Sequence, residues 1–183
     1  MKRIVIRYGI ASGLILMAIA AVMLPLCLNG TIGFEQGELV GYSTMVLAFL
    51  MVFFGIKSYR DNVADGAIGF GRAFKVGILI TLITCAVYVI VWEIAYFNFF
   101  PDFLDKYSTH VVAKMRAAGE SEADIRKTTE QMAFMAKYYD NVFFNSAITF
   151  MEIFPVGLIV TLVSAAILRR KPRQPVPAEA VTA

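Results

Sequence analysis

The chain has 183 residues, a mass of 20.3 kDa and a formal net charge of +3. Hydrophobic residues make up 58%, charged residues 17%, and the mean hydropathy is +0.67, against about 45–50% apolar and about 25% charged in an average soluble domain. That balance argues against a disordered protein, a typical soluble enzyme and a disulfide scaffold, and it leaves an integral membrane protein.

Charge gaps place the spans. Residues 8–34 and 39–56 contain no Asp, Glu, Lys or Arg; residues 76–101 contain only Glu93, and 141–168 only Glu152. A helix needs roughly 20 apolar residues to cross about 30 Å of hydrocarbon. Four spans follow, at 8–29, 41–58, 74–98 and 144–168, the second being the shortest. A soluble four-helix bundle is the alternative, but most of its helices would carry polar stripes. The expected fold is therefore all-α: a polytopic membrane protein with four transmembrane helices.

The first span follows Lys2 and Arg3, as a signal peptide would. Its apolar run exceeds the usual 7–15 residues, so it reads as a retained helix. Gly9 and Gly13 give it a small-residue face suited to close helix packing, within one molecule as the plain reading. Pro25 marks a bend or an end. Residues 30–40 read as a short exterior link, and Tyr42 as an interfacial aromatic. Gly66, Gly69 and Gly71 make the next link a flexible one, with an interfacial half-turn as the alternative. The glycine order does not suit dinucleotide binding, and no strand-turn-helix unit surrounds it.

The third span ends in an aromatic belt that includes Tyr88, Trp92, Tyr96 and Phe97. Pro101 then breaks the helix or opens another. Residues 100–143 form the one large insertion. Phe100, Leu104, Tyr107, Val111 and Met115 recur at helical spacing, and so do Ile125, Thr129, Met132, Met135 and Tyr139. Ala118-Gly119 separates the two stripes, and Ser121 precedes Asp124 as a helix cap would. The segment thus predicts an extracytoplasmic helical hairpin between the third and fourth spans, or two helices lying on the membrane surface. Residues 1–170 read as a single transmembrane domain. The proline-bearing tail, 171–183, reads as disordered and cytoplasmic.

Basic residues favour the cytoplasmic side of short loops. Lys2, Arg3, Arg7, Lys57, Arg60, Arg72, Lys75, Arg169, Arg170, Lys171 and Arg173 fall on one side, giving it +8 against −3 on the other. Both termini are expected in the cytoplasm, in an inner (cytoplasmic) membrane. The basic residues trace a membrane edge instead of a compact groove, so nucleic acid is not an expected partner.

Chemistry-bearing motifs are sparse. His110 is the sole histidine and reads as a surface residue. Cys27 and Cys85 fall in different spans at different depths, so a disulfide is not expected. No catalytic residues, cofactor or metal are expected, and the chain does not read as an enzyme. An ionisable residue in hydrocarbon is costly and a functional candidate by default. Glu93 and Glu152 are expected at similar depth on antiparallel helices. Tyr88, Tyr96, Asn145, Ser146 and Thr149 stand near enough in sequence to supply hydrogen bonds. Such a pair would share a proton, because two close carboxylates resist joint ionisation, or would bind a cation or a basic helix. The plain alternative has Glu93 reaching headgroups and Glu152 packing as a neutral group. Arg60, with Asp61 and Asp65, is a candidate interface site at the cytoplasmic face, where a guanidinium binds lipid phosphate.

The ending of the second span, Ser58-Tyr59-Arg60-Asp61, and the opening of the third, Gly69, Phe70, Ala73, Phe74 and Gly77, resemble domain-of-unknown-function family 4199, uncharacterised bacterial four-span membrane proteins. The resemblance covers roughly residues 3–170. It implies the four-span plan with a helical exterior segment before the fourth span, and it implies no activity.

Two function classes remain. The first is a noncatalytic scaffold or accessory subunit of an envelope complex, with membrane lipid and other envelope proteins, or a second copy, as partners. The second is a small oligomeric transporter or ion-coupled carrier using the intramembrane carboxylates. The charge division makes a topological prediction. With cysteine probes at Ser121 and Ala178 in intact cells, an impermeant thiol reagent should label the first and spare the second. Labelling of both, or of Ala178 alone, would overturn the orientation.

Overall fold

The computed structural model describes residues 1–28 and 31–170, all in or between six helices. They are α1 (Lys2–Leu28), α2 (Phe34–Val63), α3 (Phe70–Phe99), α4 (Phe103–Ala117), α5 (Glu122–Tyr139) and α6 (Val142–Leu168). The fold is all-α, and α1, α2, α3 and α6 are long and apolar enough to span a membrane. The tail read as disordered, 171–183, lies outside the described residues, as does Gly30 at the start of the first link.

Each long helix exceeds the span read from the sequence; α1, α2 and α3 run on into charged residues, and α6 adds Val142 and Phe143. The difference is largest for α2. The link read at 30–40 is helical from Phe34 onward, and the far end reaches Val63. Pro25 and Pro155 both lie inside continuous helices. The link between α2 and α3 is correspondingly tight. Asp65 (φ 49°) and Gly66 (φ 77°) turn the chain in the left-handed region, where a residue without Cβ pays no steric cost. Gly69 then caps α3.

Helix α3 packs on α1, α2 and α6, and α2 packs on α1 and α6. Phe49, Val52 and Ile56 of α2 meet Val76 and Ile80 of α3 and Ile153 of α6 in a fully buried core. Their three- and four-residue spacing puts each set on one helical face. The outer faces carry Leu14, Leu47, Ile90, Met151, Ile159 and Ile167, all well exposed. An apolar surface of that extent suits lipid and would be a liability in water.

Small residues and hydroxyls hold the helices together. A Cβ on Gly9 would lie 2.7 Å from Ile83 Cβ, and one on Gly13 2.7 Å from Val87 Cβ. Their small-residue face is therefore spent inside the molecule, on α3. The approach exposes the Gly9 carbonyl to the Thr84 hydroxyl at 3.2 Å. Ser12 Oγ donates to the Ala48 carbonyl of α2 at 2.8 Å. Between α3 and α6, the Thr81 and Thr161 hydroxyls are 2.9 Å apart. In hydrocarbon, where apolar contact with lipid costs nothing, such bonds and close packing are what drive helix association.

The insertion is a hairpin. Gly119 (φ 74°) turns the chain after α4. Ser121 caps α5, accepting from the Asp124 amide at 3.2 Å. Phe100, read as the first member of the α4 stripe, instead closes α3 as its C-cap residue. Pro101 follows it and cannot offer an amide to extend α3. Leu104, Tyr107, Val111 and Met115 do share the half-buried face of α4.

Glycine packing generates a stability contrast. A Cβ on Gly157 would stand 2.7 Å from two ring atoms of Phe49, whereas one on Gly71 meets nothing within 4 Å. Gly157→Ala should lower stability by about 1–3 kcal/mol through overpacking. Gly71→Ala should raise it by roughly 0.5–1 kcal/mol through helix propensity. Thermal unfolding of both variants in one detergent tests this, and equal shifts would refute the packing account.

Candidate functional site

Tyr88, Trp92, Glu93, Asn145, Thr149 and Glu152 collect in the hairpin half of the bundle. Tyr88, Trp92 and Tyr96 recur every four residues on α3, so they share a face. Asn145, Thr149 and Glu152 share one on α6. The Trp92 indole N–H donates to Asn145 Oδ1 at 3.2 Å, and the Thr149 hydroxyl donates to the same oxygen at 3.1 Å. Asn145 is completely buried, and its Nδ2 has no partner. Asn141 starts α6 by accepting from the amides of Phe143 and Phe144, which fixes the rotation that aims Asn145 inward.

The same face anchors the hairpin. Tyr96 donates to Asp140 Oδ1 at 3.1 Å. Its ring meets Tyr139 edge-on at 5.1 Å between centroids, and Trp92 meets Phe103 edge-on at 5.4 Å. Burial pushes the Tyr139 hydroxyl above the ordinary tyrosine range, so this ring stays neutral at any physiological pH.

The two intramembrane carboxylates have different surroundings. Glu93 Oε1 accepts from the Ser146 hydroxyl at 2.8 Å, and its Oε2 is buried without a partner. Glu152 lies six residues beyond Ser146 on α6. At about 1.5 Å and about 100° per residue, that is roughly 9 Å along the axis and about 120° around it. The structure thus joins Glu93 to Ser146, and Trp92 to Asn145 and Thr149. It gives Glu93 and Glu152 no common hydrogen-bond partner.

Glu152 instead faces a cavity of about 470 Å³ to which all six helices contribute. Met23, Met45, Trp92, Leu104, Tyr139 and Glu152 supply one wall residue from each helix in turn, with Tyr88 beside Trp92. The volume falls in the range of about 300–1,000 Å³ usual for small-molecule sites. Neither the cavity nor its roof of α4 is visible in the letters. The usable signal was the four-residue spacing of Tyr88, Trp92 and Tyr96, read there as a membrane-interface belt. Among the described residues, no three His, Cys, Asp or Glu side chains gather to hold a metal ion.

Comparison with protein families gives one match, to the proteins of unknown function DUF4199, over residues 7–170. The chain belongs to this family. No curated protein and no solved structure matches it.

The segments on which the DUF4199 resemblance rested lie at the opposite end of the bundle, and their chemistry is structural. Arg60 Nε pairs with Asp61 Oδ1 at 2.7 Å. Asp65 makes no ion pair with Arg60; it forms the turn, after which the Gly66 amide donates to the Arg60 carbonyl at 2.9 Å. Ala73 is fully buried, the Phe70 and Phe74 rings stack at 6.3 Å, and a Cβ on Gly77 would lie 2.8 Å from Thr161 Cγ2. Ile68 and Arg170 exchange backbone hydrogen bonds at 3.0 and 2.9 Å. These contacts tie the α2–α3 turn to the end of α6.

Asn145 is the residue whose loss should be felt most at the hairpin end. Asn145→Ala leaves the Trp92 indole and the Thr149 hydroxyl without their shared acceptor. A buried donor left unmet costs about 1–3 kcal/mol. The variant should unfold at lower temperature, with altered near-ultraviolet dichroism from Trp92, the chain's single tryptophan. An unchanged melting curve and an unchanged Trp92 signal would show that this bond carries no weight.

Proposed function

We propose that this DUF4199 protein is a noncatalytic scaffold or accessory subunit of an envelope complex. In this reading it resides in a bacterial inner membrane with both termini cytoplasmic and the α4–α5 hairpin outside. Membrane lipid surrounds the four spans, and another envelope protein meets the hairpin. The observation that carries the reading is the form of that hairpin. It is anchored at its base by Trp92, Tyr96, Phe103 and Tyr139. Beyond the base, α4 contains no buried residue, and α5 buries only Ile125. Its surface is rich in both charges, as the polar part of a transient interface is.

A second reading, a small oligomeric transporter or ion-coupled carrier, is favoured by a different observation. The Glu152 cavity lies within the spans, and an intramembrane carboxylate on a cavity wall is the usual mark of a substrate or ion path. Four helices enclose such a path only narrowly, so a second copy would complete it.

Photocrosslinking in native membranes separates the two. A photoreactive residue at Lys127, on the exposed side of α5, should capture one stoichiometric partner other than this chain. The same residue at Arg72, at the far end of the bundle, should not. Capture of nothing, or only of a second copy, would overturn the accessory reading. Substrate-dependent flux in proteoliposomes would then support transport.

A further inference from the structure

We infer that the cavity at the hairpin end is a binding site for an amphiphilic organic monocation, with its ammonium group against Glu152 and its apolar body among Met23, Met45 and Trp92. The inference goes beyond the accessory reading, since occupying this site needs no partner protein.

The first observation is an unanswered charge. Glu152 is ten residues into α6, about 15 Å below its hairpin end. Among the described residues it makes no hydrogen bond or ion pair. A lone carboxylate at that depth is expensive, and in membrane proteins such groups face a cavity and find a partner there. Among the described residues the wall holds no Lys, Arg or His. The proposed occupant supplies the counter-charge.

The backbone of α6 adds to this. Pro155 lies inside the continuous α6 and has no N–H to give the carbonyl of Met151, the residue before Glu152. The negative end of that peptide dipole is thus left beside the acid.

The wall then selects the kind of cation. A protein site for a hard metal ion gathers several oxygen ligands, carboxylates foremost, whereas Glu152 is the one carboxylate among the described wall residues and sits amid sulfur, ring and aliphatic carbon. Tyr88, Trp92, Tyr107 and Tyr139 instead present aromatic rings, whose faces attract an alkylammonium. A phospholipid headgroup fits poorly, because its phosphate would find no basic group. One positive charge on an apolar body satisfies the carboxylate, the rings and the aliphatic wall together.

Trp92 makes the test direct, because the only tryptophan of the chain lines the cavity. The full chain is placed in phosphatidylcholine nanodiscs, and Trp92 emission is followed during titration with octyltrimethylammonium. Octanesulfonate and octanol carry the same tail with a negative or no charge. The cation should produce a saturable change, octanol should bind at least tenfold more weakly, and octanesulfonate should give no saturable change. Glu152→Gln should weaken the cation at least tenfold and leave octanol unaltered. Equal binding of the cation and the sulfonate would overturn the inference, and so would an unaltered cation affinity in Glu152→Gln. An equal loss in Glu93→Gln would also overturn it, since that acid is bonded to Ser146 and does not line the cavity. Should Glu152→Gln fail to fold, the cation–sulfonate comparison in the wild-type chain still decides.

Discussion

Helix α3 can touch three neighbours only because small residues let each of them come close. Helices in lipid gain nothing from hiding apolar surface, so their association rests on packing and on interhelical hydrogen bonds. Gly9 and Gly13 admit α1, and Gly77 and Gly157 admit α6. The threonines of α3 use the same proximity. Thr84 reaches the Gly9 carbonyl, and Thr81 reaches Thr161 and the Gly157 carbonyl. A glycine removes the side chain that would shield its carbonyl, and the facing hydroxyl then takes that carbonyl. Close approach and hydrogen bonding are one device.

The device operates over the terminal half of the bundle and lapses toward the hairpin. There α3 carries Tyr88, Trp92 and Tyr96 where it earlier carried Gly77, Thr81 and Thr84. Rings take the place of the small residues there, and Tyr88 and Trp92 line the cavity. The hairpin covers it with Phe103, Leu104 and Tyr107. This cover is held by few contacts, for α4 buries no residue. Sparse burial is the physical signature of segments that open locally at low cost. The cavity therefore has a rigid floor, where the glycines pack, beneath a weakly held roof.

The division between what the letters reveal and what they conceal follows the range of the interactions. Long charge gaps, the Ser121 cap and the Ala118-Gly119 break are local signals, and each marks an element that is present. Hydropathy marks the hydrocarbon and not the helix end, and α2 continues through Tyr59, Arg60 and Asn62, where Asn62 bonds back to Ser58 and Arg60 pairs with Asp61. The rotation of α6 is not local. It depends on Asn141 capping the helix and on Trp92 finding Asn145, fifty-three positions away in the chain. A place in the hairpin half of the spans was readable for Glu93 and Glu152, though Glu152 lies roughly 9 Å further along α6 than Ser146, the partner of Glu93. Their facing was not, and facing decides which partner each one meets.

That rotation gives two acids of one type different chemistry. Glu93 turns into the seam between α3 and α6, where Ser146 donates to one oxygen and neighbouring side chains leave no room for anything else around the other. Its other oxygen is buried and unpartnered, the condition of a group held in place by the fold. Among the described residues Glu152 has no hydrogen-bond donor, and it adjoins open volume. A buried acid with a protein donor adds to the uniqueness of the packing. An acid that adjoins open volume is left to solvent or to an occupant of the cavity. Glutamine or leucine would take the same place on α6 without a carboxylate, so the difference between the two acids lies in what stands beside each: a serine hydroxyl for Glu93 and open volume for Glu152.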